Sequence, residues 1–228
     1  MENSGIRNTE HDIVISYLTY RKAIGWLGVS LPFALVIGTM MLGSCSGIQE
    51  SISHYYYTIM GDVFVGTLCC LGLFLLTYRY ERIDNIASSI AGIFAICVAL
   101  FPTTNLFSDA SFRTLEPICD SIYHTRTLFH FASAALFLGT LAFMSLVLFT
   151  KTSPGGKIQG KKKTRNKIYK ICGWLMILAI VFIAVISFSP VLDPVCSPYH
   201  YTFWGECIAL WAFGISWLIK GGVLLSDN

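Results

Sequence analysis

The sequence predicts an all-α membrane protein, a six-transmembrane-helix bundle with both termini in the cytoplasm. Three observations carry that reading. The 228 residues are 54% hydrophobic and 13% charged, whereas a soluble domain carries about 25% charged residues. Six apolar runs have the roughly 17–25 residues that a helix needs to cross a bilayer. Lys and Arg are concentrated in alternate loops, and such loops face the cytoplasm. A transmembrane barrel is not expected, because the runs lack two-residue alternation.

The length suits one compact bundle. We divide it into a cytoplasmic tail (1–22), a transmembrane domain (23–222) and a second cytoplasmic tail (223–228). The polar N-terminal stretch has no basic n-region followed by a short apolar core. The first apolar run is therefore expected to be retained rather than cleaved.

Span 1 (23–43) carries Gly25, Gly28, Gly38 and Gly43, small residues that let helices approach closely in lipid, and Pro32, a source of a kink. Span 2 (55–78) is preceded by Ser51 and His54 and includes Thr58 and Asp62. As one continuous helix, these four lie on one face. Ionisable groups entering a bilayer are expensive and usually functional. Span 3 (86–102) ends at Pro102. The loop that follows holds Asp109, Glu116, Cys119, Asp120, His124 and Arg126. Span 4 (127–150) starts one turn before His130. Span 5 (171–189) leads to a loop with Asp193, Cys196 and His200, and span 6 (202–219) has Glu206 near its start.

The linker 151–170 contains eight of the 16 Lys and Arg residues and no acid. Arg21 and Lys22, Arg79 and Arg82, and Lys220 fall on the same side of a six-span chain. This asymmetry predicts a multi-pass protein of the cell membrane, plasma or inner. The linker is also a contact for anionic lipid, at about 1 kcal/mol per basic residue near the surface. It lacks interleaved aromatics, so nucleic acid is not an expected partner. Of the cysteines, Cys45, Cys119 and Cys196 fall outside, and Cys119–Cys196 is the pairing an oxidising compartment would favour.

Depth follows from the helical rise. Counted from the basic anchors, Asp62 lies about 26 Å up, His130 about 32 Å, His200 about 30 Å and Glu206 about 21 Å. Imidazoles and carboxylates from three spans thus share one slab at the outer leaflet. The expected site has His54, His130 and His200 as metal ligands, Zn2+ being the fitting ion. Asp62 and Glu206 serve as catalytic carboxylates, and Arg126, Ser51 and His124 contact substrate. A zinc-bound water would hydrolyse a lipid or amide. The alternatives are a small transporter, a lipid- or ligand-binding protein using the same pocket, and a structural partner with paired charges. No phosphate loop, His-Glu-x-x-His or nucleophile elbow points to a soluble enzyme.

The pattern Ser-x-Ser-His-Tyr-Tyr-Tyr-Thr-x-Met-Gly-Asp at 51–62, with Asp84-Asn85-Ile86-Ala87 and Leu100-Phe101-Pro102-Thr103, resembles a group of small bacterial six-span membrane proteins of unassigned activity. That resemblance implies topology. The chain also bears a more distant resemblance to the alkaline ceramidase and adiponectin-receptor superfamily of intramembrane zinc hydrolases. It implies that Ser51 or Ser53, His54 and Asp62 take that family's Ser, His and Asp positions. The family's late His-x-x-x-His pair is absent, leaving His124, His130 and His200 as substitutes.

Overall fold

The computed structural model describes residues 2–43, 47–103, 121–152 and 160–225, with side chains from residue 18 in the first segment and 125 in the third. Among these residues the chain is helical and contains no strand. Seven α-helices run in order: α1 (Glu2–Leu42), α2 (Gly61–Thr77), α3 (Arg82–Leu100), α4 (Ser121–Phe143), α5 (Lys161–Ser187), the short α6 (Leu192–Cys196) and α7 (Tyr201–Lys220). A 3-10 helix, Ser53–Tyr57, precedes α2, and a π-helical turn, Met144–Leu148, extends α4.

Among the described residues, five helical stretches are long and apolar enough to cross a membrane: Leu18–Leu42, Arg82–Leu100, Thr125–Leu148, Lys161–Ser187 and Tyr201–Lys220. The remaining expected span, span 2, is shorter. Gly61–Thr77 has 17 residues, about 26 Å of helix against a hydrocarbon core of roughly 30 Å. The expected start at Tyr55 is therefore corrected to Gly61. Thr58 ends the 3-10 helix in an extended conformation. Its hydroxyl donates back to the Tyr55 carbonyl at 2.8 Å and accepts the Met60 N–H at 3.1 Å. A Thr side chain that offers the backbone local partners competes with helix, so 51–62 is not one helix.

Each long helix packs on its chain neighbour, and α7 returns to α1 and closes the ring. The close approaches use glycine. A Cβ built on Gly72 would lie 2.8 Å from the Gly92 carbonyl, and one on Gly92 2.7 Å from that of Gly72. Gly25 and Gly214 face each other in the same way between α1 and α7. Tyr55, Phe64, Leu141, Met176, Phe213 and Trp217 are among the residues that fill the ring.

The basic anchors gather at one end. Arg21 donates to the Tyr78 hydroxyl at 3.2 Å and to the Lys220 carbonyl at 3.5 Å, joining α1 to the ends of α2 and α7. Lys151 donates to Glu81 at 2.9 Å and stands 3.9 Å from the buried Asp84. The Glu81 carboxylate holds the Lys151 ammonium above its ordinary range. At the opposite end, residues 47–60 fold inward over the ring, and this segment builds the site.

Candidate functional site

Glu206 lies in the second turn of α7 and reaches across the ring mouth. Its Oε2 accepts the Ile52 N–H at 2.5 Å, and the Ser53 N–H is a second donor to the carboxylate. These are orphan amides at the start of the 3-10 helix. An anionic acceptor there satisfies them and suits the helix dipole. The Phe203 N–H donates to the Glu50 carbonyl at 3.0 Å, a second tie between the same two segments. Tyr57 adds a third anchor by donating to the Thr103 carbonyl at 2.5 Å.

So held, Ser53 points at α4. Its Oγ lies 2.9 Å from Nε2 of His130. Nδ1 of His130 lies 2.7 Å from the Phe101 carbonyl oxygen. A carbonyl only accepts, so Nδ1 carries the hydrogen. In the neutral ring Nε2 is then a lone pair, and the Ser53 hydroxyl donates to it. Phe101 is free to accept because α3 ends there: Pro102 has no N–H and cannot continue the helix. Ser53 is 5% exposed and His130 1%, so the pair is almost fully withdrawn from solvent.

A second pair sits beside the first. Ser51 Oγ lies 2.7 Å from His54 Nδ1 and accepts the His54 backbone N–H at 3.1 Å. Ser51, Ser53, His54, Thr103, His200 and Glu206 line one cavity of about 350 Å³. Its rim on α6 is braced by Tyr201, whose hydroxyl donates to Asp193 at 2.7 Å and sits 2.9 Å from Ser187 Oγ. His200 caps α7 in the left-handed region, at φ 52° and ψ 43°, which His tolerates better than most residues.

Several sequence expectations change here. Asp62 is exposed in the first turn of α2 and is not among the cavity-lining residues. The chain breaks between the 3-10 helix and α2, so Asp62 no longer follows His54 along one face. His130 has both ring nitrogens engaged by protein. Among the described residues, no three His, Cys, Asp or Glu side chains gather closely enough to hold a metal ion. The donors present therefore do not assemble the zinc site expected from His54, His130 and His200. Arg126 is half-buried one turn before His130 and is not on the cavity wall. The side chain of His124 lies outside the described residues, as do Cys45 and Cys119 of the disulfide expectation.

Glu206, His54, His200 and Ser51, all named from the sequence, line the one cavity. Sequence reasoning named Ser53 only through a resemblance, and it missed Thr103, Asp193, Tyr201 and the Phe101 carbonyl. Pro102 was the available signal for Phe101, since a helix stopped by proline leaves its last carbonyls open. Comparison with protein-family models, curated proteins and solved structures finds no match to this chain.

Proposed function

We propose that this chain is a membrane hydrolase of the serine type, acting on an ester or amide bond of a lipid or other amphipathic molecule at the outer leaflet. The proposed topology has six crossings and cytoplasmic termini. Its support is the basic end of the bundle, where Arg21, Lys151 and Lys220 meet. The cavity lies at the other end, and the chain sits in the cell membrane with anionic lipid along 151–170.

One observation carries the activity: Ser53 Oγ, His130 Nε2, His130 Nδ1 and the Phe101 carbonyl form a continuous hydrogen-bonded line. A hydroxyl becomes a useful nucleophile when a base receives its proton and a third group orients that base. Ser53 Oγ would attack the carbonyl carbon while its proton passes to His130 Nε2. The positive imidazolium still donates from Nδ1 to Phe101. Nε2 then returns the proton to the leaving oxygen or nitrogen. Water, deprotonated by the same nitrogen, releases the acid from Ser53. Hydrolysis of a short-chain nitrophenyl ester by the purified protein in nanodiscs tests this. Ser53→Ala and His130→Gln are each expected to lower the rate a hundredfold to ten-thousandfold. Equal rates in correctly folded variants would overturn it.

A second reading is a ligand-binding protein without catalysis. It is favoured by Glu206, which already takes the Ile52 and Ser53 amides that would otherwise be the nearest donors to an oxyanion. Saturable ligand binding with no covalent turnover supports that reading.

A further inference from the structure

The same cavity also bears on what the protein accepts, and the following rests on the reading of that cavity as the ligand site. We infer that it selects an amphipathic molecule with a cationic head group, an amine or quaternary ammonium on an apolar chain. Three carboxylates line it, Glu50, Asp193 and Glu206, each from a different segment. No Lys or Arg is among the described residues on its wall. Two of the carboxylates are fixed from behind, Asp193 by Tyr201 at 2.7 Å and Glu206 by Ile52 at 2.5 Å. Both carboxyl groups are thus positioned before a ligand arrives, and carboxylate charge on the wall of a site enclosed by low-dielectric protein repels an anion and attracts a cation. The rings of Phe131 and Tyr201 line the same cavity, and aromatic rings add to the attraction for a cation.

An independent observation marks the cavity as incomplete. Thr103 lines it, is 5% exposed, and its Oγ1 has no hydrogen-bond partner among the described residues. A buried hydroxyl left without a partner costs free energy, and a polar head group entering the cavity would supply one. Beside the cavity there is room for the first methylene groups of an apolar chain. A slot of about 40 Å³, lined by Leu31, Phe64, Leu68 and Phe137, shares Ser53 and Glu206 with the cavity. The polar and apolar compartments thus meet at Ser53, where a bond between head and tail would lie.

The test is calorimetric binding to the wild-type protein in phosphatidylcholine nanodiscs, corrected for protein-free discs. The probes are octyltrimethylammonium, 1-octanol and octanoate, which share one chain length and cannot be hydrolysed. Octyltrimethylammonium is expected to bind about tenfold or more tightly than either other probe. Glu50→Gln, whose carboxylate ties no other element in place, is expected to narrow that gap to about twofold. Comparable affinity for all three, or no saturable binding of the cation, would overturn the inference. Because no probe is cleaved, a protein that prefers the cation but shows no Ser53-dependent hydrolysis would sink the hydrolase reading alone.

Discussion

Glu206 on α7 accepts the backbone N–H of Ile52 at 2.5 Å, across 154 positions of sequence. That bond converts residues 47–60 from a loop into a lid with a fixed inner face. Ser53 is aimed at His130 only because the amides before it are held from the other side of the ring. The Glu206 carboxylate thus works first as a positioning group.

Removing that carboxylate should release the segment. Glu206→Ala leaves the Ile52 and Ser53 amides without their acceptor, at roughly 1–3 kcal/mol for each. Glu206→Gln keeps one oxygen as acceptor and should cost less than half as much, about 1 kcal/mol. Unfolding in detergent measures the difference. Hydrogen exchange should show 52–57 losing protection in the Ala variant before the helices do. Equal stability of the two variants would argue against the capping role.

Asp62 offers the contrasting case. It is exposed at the start of α2, where a carboxylate interacts favourably with the helix dipole. Asp62→Asn should lower stability by about 0.3–1 kcal/mol and leave turnover unchanged. A tenfold loss of rate at unchanged stability would return Asp62 to the site.

The ring depends on glycine contacts that no side chain can replace. In Gly92→Ala the new methyl would stand 2.7 Å from the Gly72 carbonyl oxygen. A backbone oxygen inside a packed helix cannot swing away as a side chain can. The expected loss is about 1–3 kcal/mol, with α2 and α3 pushed apart. A melting temperature equal to that of the wild type would contradict the close approach.

How much was legible in the sequence follows from what each feature depends on. The helices were legible because lipid allows few other structures, and their apolar runs and basic anchors are local signals. The break before α2 was not. Thr58 turns its hydroxyl on its own backbone, and three tyrosines before it extended the expected span 55–78 upstream of the apolar run that starts at Val63. Depth counting brought Glu206, His130 and His200 to one level, and it also brought Asp62 there. Depth carries no information about which way a side chain faces once a helix starts six residues late. The Ser53–His130 pair was hidden for a related reason. Its partners lie 77 residues apart, and the group that orients the histidine is a main-chain carbonyl, which no residue type announces.

The pairing of Ser53 with His130 is tested most directly by covalent labelling. The purified protein in nanodiscs is treated with a fluorophosphonate, and the modified residue is located by mass spectrometry. The predicted result is one stoichiometric adduct on Ser53, lost in Ser53→Ala and strongly slowed in His130→Gln. An unmodified Ser53 in folded protein, or labelling whose rate does not depend on His130, would contradict the account.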